Sequence, residues 1–210
     1  MTTHQTATPA PVSFTEQWGA RGWVGDLGGR VHWVEFGSEA EATPIVFVHG
    51  LGGAHLNWAL VGSGLAVGRK AYAIDLRGFG LTPKGTASTT VQANSALLDA
   101  FLRKIVGRPA VLVGNSMGGM VSILQTRANP ATVAGLVLVD PALPPARRNV
   151  DPRVLAEFGV FALPGLGERY MRRMLSKHTA AAYVDRVIRL CFADPTRADP
   201  AMLRASAELF

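Results

Sequence analysis

The chain is poor in cysteine. Cys191 is the only one in 210 residues, so no intrachain disulfide can form. Long apolar runs are also missing, which excludes a membrane-spanning helix. The N-terminal MTTHQTATPAPVSF has no basic start followed by an apolar core, so it does not read as a secretory signal, and a soluble cytoplasmic protein is expected. Charge is sparse at 17% against 48% hydrophobic, a balance that excludes disorder and allows a sizeable core. The net charge of +6 is not concentrated: residues 1–140 hold 10 Lys+Arg against 8 Asp+Glu, and residues 141–210 hold 11 against 7. The excess arginines are not clustered with aromatics, so no nucleic-acid partner is expected. The five histidines show no metal-ligand spacing with one another or with Cys191, and no metal is expected. Gly62-x-Gly64 with Gly68 falls short of a dinucleotide fingerprint, because its third glycine is one place too far and it precedes a strand.

What is present is an alternation of short apolar runs and helical segments. Residues 1–20 are expected to form a loose N-terminal tail, polar and rich in Thr and Pro at its start. Arg21–Leu27 and Arg30–Phe36, joined at Gly28-Gly29, predict a β-hairpin. Ile45–Val48, Ala71–Ile74, Ala110–Val113 and Leu136–Val139 predict buried strands. Between them, Leu56–Leu65, the segment from Thr90 to Val106 and Gly119–Ala128 have helical spacing. The implied fold class is α/β, a mostly parallel sheet with helices on both faces spanning residues 21–145. After Pro141 the texture changes. Asp151-Pro152 and Asp199-Pro200 look like N-caps followed by proline, and residues 146–210 read as an all-helical segment. No internal repeat is found.

The stretch Pro109–Met120, PAVLVGNSMGGM, carries the chemistry. Its G-x-S-x-G falls between a strand and a helix, the context of a nucleophile elbow. At such a turn Ser116 is driven toward positive φ, and only residues without a side chain fit two before and two after it, here Gly114 and Gly118. The hydroxyl is then presented at the strand's end, with a helix N-terminus behind it that favours negative charge.

Together with two further stretches, this one resembles the α/β-hydrolase family over roughly residues 20–210. HGLGG, His49–Gly53, is similar to the family's oxyanion loop; DLRGFGLT, Asp75–Thr82, to its post-strand turn; and GNSMGG, Gly114–Gly119, to its elbow. The resemblance implies Ser116 as nucleophile and the backbone N–H groups of Leu51 and Met117 as the oxyanion hole. Gly50 and Gly52 would let that backbone approach the substrate. It implies a small-molecule acyl substrate, no metal or organic cofactor, and residues 146–210 as a helical cap. Dehalogenases and epoxide hydrolases of this fold carry Asp at the nucleophile position, so Ser116 speaks against both.

The family order is Ser, then Asp or Glu, then His, with the last two following strands that come after the cap. Neither strand is read here, and two strand–helix units need about 60 residues, at about 30 each. The chain is therefore expected to be the N-terminal part of a longer enzyme, cut near the end of its cap and inactive alone. His178, the only histidine after Ser116, sits amid polar residues and reads as a surface histidine, with a base as the other option. His49 reads as structural; His4, His32 and His55 read as bland; and Asp140, before a proline, reads as turn-stabilising. An uncovered sheet edge at Leu136–Val139 would lead to self-association. Two alternatives stay open: a carbon–carbon bond hydrolase of the same fold, suggested by Asn115, and a non-catalytic binding protein, suggested by the missing base.

Overall fold

The computed structural model of the chain describes residues 7–38, 40–143, 169, 173 and 179–209. The chain divides into two compact units, Met1–Ala142 and Leu143–Phe210.

In the first unit the apolar runs form strands. They are β1 (Ala7–Pro9), β2 (Arg21–Asp26), β3 (Arg30–Phe36), β4 (Ile45–Val48), β5 (Ala71–Ile74), β6 (Ala110–Asn115) and β7 (Val133–Val139). They make one seven-stranded sheet in the order β1-β2-β3-β5-β4-β6-β7. β5, β4, β6 and β7 pair in parallel, while the β2–β3 hairpin and β1 join antiparallel, so the sheet is mixed and mostly parallel.

Period-two alternation sorts the strand residues onto two covered faces. Val31, Trp33, Val46, Val48, Tyr72, Ile74 and Leu112 pack with Leu97, Leu98 and Phe101 of helix α2 (Val91–Phe101) and with Val121 of α3 (Met117–Ala128). Val34, Phe36, Ile45, Phe47, Ala71, Ala73 and Val113 pack on the other face with Trp58, which stacks on Phe47 at 4.9 Å ahead of α1 (Ala59–Leu65). Helix α2 starts where Thr90 caps the Ala93 N–H. It runs on through one wider turn, Leu102–Val106, and stops at Gly107, whose φ of 71° closes the end.

Three expectations change. The tail is partly built into the sheet: Ala7–Pro9 pairs with Trp23–Gly25, and Ser13 and Thr15 are buried. The outer edge of β2 needs a partner, and three residues without an apolar pattern supply it through backbone alone. Strand β3 is buried along six of its seven residues, so His32 and Glu35 lie inside and need partners. Glu35 meets Lys70 at 3.3 Å and accepts from the Trp33 indole at 3.3 Å. Finally, β7 is longer than Leu136–Val139 and, as the last strand, is not a buried one: Val137, Leu138 and Val139 are 48%, 38% and 43% exposed.

The second unit is described from residue 179, apart from Arg169 and Arg173. It shows α4 (Ala180–Cys191), capped by Thr179, and α5 (Pro200–Leu209), whose first amides at Ala201 and Met202 bond the Asp199 carboxylate at 2.8 and 2.9 Å. No strand occurs among its described residues. Asp151-Pro152 lies outside the described residues. No helix among the described residues is long and apolar enough to cross a membrane.

Candidate active site

Strands β4 and β6 are adjacent and parallel, with Val48 opposite Gly114, so both deliver their C-terminal ends to one place. Between β6 and α3 stands Ser116, at φ 50° and ψ −117°. A residue with a Cβ adopts this only when its surroundings impose it, at a cost of about 1–3 kcal/mol. The surroundings are specific. The Ser116 N–H donates to the Val139 carbonyl at 3.1 Å, and the Ser116 carbonyl accepts from Gly119, Ala142 and Met120 at 3.0, 3.0 and 3.3 Å. The end of β7 thus holds the turn on both sides.

The flanking glycines have no room for anything larger. A Cβ on Gly114 would lie 2.6 Å from the Gly118 carbonyl oxygen, and one on Gly118 would run into the carbonyl oxygens of Val48 and His49. These neighbours are backbone and cannot give way.

The loop after β4 closes on the same turn. A Cβ on Gly50 would lie 2.9 Å from Asn115 Oδ1 and 3.1 Å from Ser116 Cβ, so Gly50 touches the elbow directly. The Gly53 N–H bonds back to the Gly50 carbonyl at 3.1 Å, and Gly52 takes φ 70° to complete the turn. Leu51 lies inside this turn, and Met117 is the first residue of α3. The structure thus brings Gly50, Leu51, Gly52, Gly114, Ser116, Met117 and Gly118 to one end of the sheet. Ser116 is half-buried, and its hydroxyl has no hydrogen-bond partner among the described residues. The first amides of a helix have no acceptor within it and carry the positive end of its dipole, here directly behind Ser116. Asn115 spends its amide on the Val139 carbonyl, at 3.1 Å.

The histidines fall elsewhere. His49 is fully buried; its Nδ1 donates to the Gly50 carbonyl at 2.8 Å and its Nε2 accepts from the Leu76 N–H at 3.0 Å. His32 and His55 are not bland, which corrects the expectation. Both meet the buried Asp75 carboxylate, His32 through Nδ1 at 2.8 Å and His55 through Nδ1 at 2.9 and 3.0 Å. His55 Nε2 also faces the Ser13 carbonyl at 2.7 Å. With acceptors at both ring nitrogens, His55 is satisfied only as an imidazolium. Burial alone would lower its pKa, but the Asp75 charge and hydrogen bond outweigh burial and raise it. For His32 burial wins and lowers the pKa, leaving a neutral ring whose Nε2 has no partner among the described residues. Asp75 is held well below the carboxylate range despite its burial, by the charge of His55 and the hydrogen bonds from both rings.

The ligand atoms of His32, His55 and Asp75 lie within 4.8 Å of one another. Asp75, however, already accepts from both rings and from the His55 and Leu81 amides, and the Gly80 Cα packs against its carboxyl group. A divalent ion there would replace a neutral ion pair with a net positive charge in the core, so the group suits hydrogen-bonded charge pairing better than a metal. No local spacing could have signalled this cluster, because its members come from three separate segments. Asp140 follows β7 at φ 46°. His4 and His178 lie outside the described residues.

Residues 45–209 match the sequence model of a family described as the alpha/beta hydrolase family. A dihydrolipoyllysine-residue acetyltransferase component of an acetoin cleaving system from Pseudomonas putida is 32% identical over 183 residues, 85% of this chain and 43% of that protein. An sn-1-specific diacylglycerol lipase from Danio rerio is 35% identical over 125 residues, 58% of this chain and 39% of that protein. The chain thus spans less than half the length of these curated relatives. The crystal structure of Cfl2 from Burkholderia cenocepacia superposes with a TM-score of 0.75 at 24% identity, covering 90% of this chain and 65% of the other, a likeness of fold.

Proposed function

The chain belongs to the alpha/beta hydrolase family, and from that premise we propose that it carries the nucleophile and oxyanion hole of a serine hydrolase acting on an ester or similar small acyl compound. Ser116 Oγ attacks the carbonyl carbon. The N–H groups of Leu51 and Met117 receive the negative charge that develops on the carbonyl oxygen. Collapse of the tetrahedral species breaks the bond to the alcohol, which leaves with the proton given up by Ser116. Water then cleaves the Ser116 acyl ester to the carboxylic acid and restores the hydroxyl. One observation carries this: Ser116 stands at positive φ between β6 and α3, with the Gly50–Leu51 turn against it. An acetyltransferase component and a diacylglycerol lipase among the relatives fit an acyl substrate. Carbon–carbon bond cleavage is less well supported, because the Asn115 amide that suggested it is engaged with Val139.

Serine needs a base to lose its proton. His32, His49 and His55 are fully buried and bonded to other groups, so none serves Ser116. The 210-residue chain alone is accordingly proposed to turn over little substrate, with residues 146–210 as a cap and the edge of β7 as the place where a further strand or a second copy would pair.

A test that needs no turnover uses a short alkyl boronic acid. Boron adds to a nucleophilic hydroxyl to give a tetrahedral anion, and mimics of this kind bind about a hundredfold or more tighter than substrates. The chain is expected to bind it, and Ser116→Ala is expected to weaken binding by at least about tenfold in an NMR titration. Equal affinity for the two proteins would refute the proposal.

A further inference from the structure

The Gly50–Leu51 peptide is one rigid unit, and its orientation decides where the Leu51 N–H points. The Gly50 carbonyl accepts from the Gly53 N–H at 3.1 Å and from His49 Nδ1 at 2.8 Å. The peptide is trans, so the Leu51 N–H points opposite to that carbonyl. Gly53 belongs to the loop itself. His49 is anchored outside it: the ring is fully buried at the end of β4, with Phe79 edge-on at 5.6 Å.

The proton on His49 is also fixed. The Leu76 N–H donates to Nε2 at 3.0 Å, so Nε2 carries no proton and Nδ1 must carry one. Leu76 thereby makes Nδ1 a donor. Burial, opposed by the Asp75 charge and the Gly50 bond, holds the His49 pKa below the usual imidazole value, which keeps the ring neutral.

We infer that His49 is a positioning residue that acts through the Gly50 carbonyl to turn the Leu51 N–H toward the Ser116 hydroxyl, with Leu76 selecting the tautomer it needs. This rests on the oxyanion role proposed above for Leu51. His49 touches no reacting atom; it removes the freedom of one peptide to rotate away.

The probe is the same alkyl boronic acid, alongside a primary amide of the same alkyl group, which occupies the site without forming a tetrahedral anion. His49→Phe keeps a buried ring and loses both hydrogen bonds. His49→Asn keeps an N–H donor near the Nδ1 position. Loss of one whole oxyanion donor costs about a hundred- to a thousandfold, and a misaimed donor part of that. His49→Phe is expected to weaken boronate binding by about tenfold or more while amide binding stays within about twofold, and His49→Asn is expected to restore most of the affinity. The His49 ring nitrogens should give NMR shifts of a neutral Nδ1–H tautomer. Wild-type boronate affinity in His49→Phe, a His49→Asn protein as weak as His49→Phe, or an Nε2–H tautomer would each overturn the inference. Should His49→Phe not fold, His49→Asn and the ring shifts still decide: weak boronate binding by a folded His49→Asn overturns it. If Ser116→Ala weakens boronate binding and His49→Phe does not, this inference alone fails. If Ser116→Ala has no effect, the serine reading fails and this one with it.

Discussion

Free imidazole is expected to speed hydrolysis of a short-chain aryl ester by the 210-residue chain at least about tenfold over the same imidazole acting with the Ser116→Ala protein. The proposed site has a hydroxyl on a strained turn, and no histidine among the described residues is free to take its proton. A positioned acid–base group contributes about a hundred- to ten-thousandfold, so a diffusing base recovers only part of that gap. The increment should follow the neutral fraction of imidazole, rising with pH through about 6.5 to 7. In a complete triad, loss of the serine costs about a millionfold in turnover. Stopped-flow release of the aryl leaving group measures both proteins. An imidazole response of the same size in Ser116→Ala would show that the serine is not the nucleophile, and fast turnover without imidazole would show that a base is present.

Asp75→Ala is expected to destabilise the fold by about 3–5 kcal/mol, because it strands a buried imidazolium. Asp75 receives four hydrogen-bond donors and ties β3, β5, the turn at His55 and the Leu81 loop together. The same cluster sets the pH profile. His55 is raised, through Asp75 and, more weakly, Glu16, so its contribution is complete below the ordinary imidazole value and is lost as pH rises through its folded value. His32 and His49 are lowered, chiefly by burial, with Arg30 adding to the effect on His32. Their contribution is present above the ordinary value and is lost as pH falls. The Asp75 share is lost only in strong acid. Stability should therefore peak near neutral pH. Below the peak two imidazoles resist protonation in the folded state, against one that holds its proton above it, so stability should fall more steeply on the acid side than on the alkaline side. Urea midpoints from pH 5 to 9 measure this. A flat profile, or an Asp75→Ala protein as stable as the wild type, would contradict the pairing.

The strands that build the parallel sheet were legible because each is an apolar run short enough to cross it and bounded by Gly, Asp or Pro. Ile45–Val48 and Ala71–Ile74 have the bounds their composition suggests. The elbow was legible for a different reason: only a glycine fits where Gly114 and Gly118 meet backbone, so a steric requirement is written as residue identity. Strand β1 was not legible, since Ala7–Pro9 contributes pairing and no pattern. The exposure of β7 was half legible: the run VAGLVLV reads as a buried strand wherever it stands, while its place as the last strand read pointed to the uncovered edge. The His32–His55–Asp75 cluster was the largest omission. Its spacing is set by the antiparallel placement of β3 beside β5, and a single histidine in a strand gives no sign of the carboxylate it will meet.

The nucleophile itself is tested most directly by covalent labelling. The chain is incubated with a fluorophosphonate at alkaline pH in the presence of imidazole, digested, and mapped by mass spectrometry. The predicted result is one phosphonyl adduct, on Ser116, that disappears in Ser116→Ala and is slowed by the boronic acid. An adduct on another residue, or equal labelling of the Ser116→Ala protein, would contradict the assignment of Ser116.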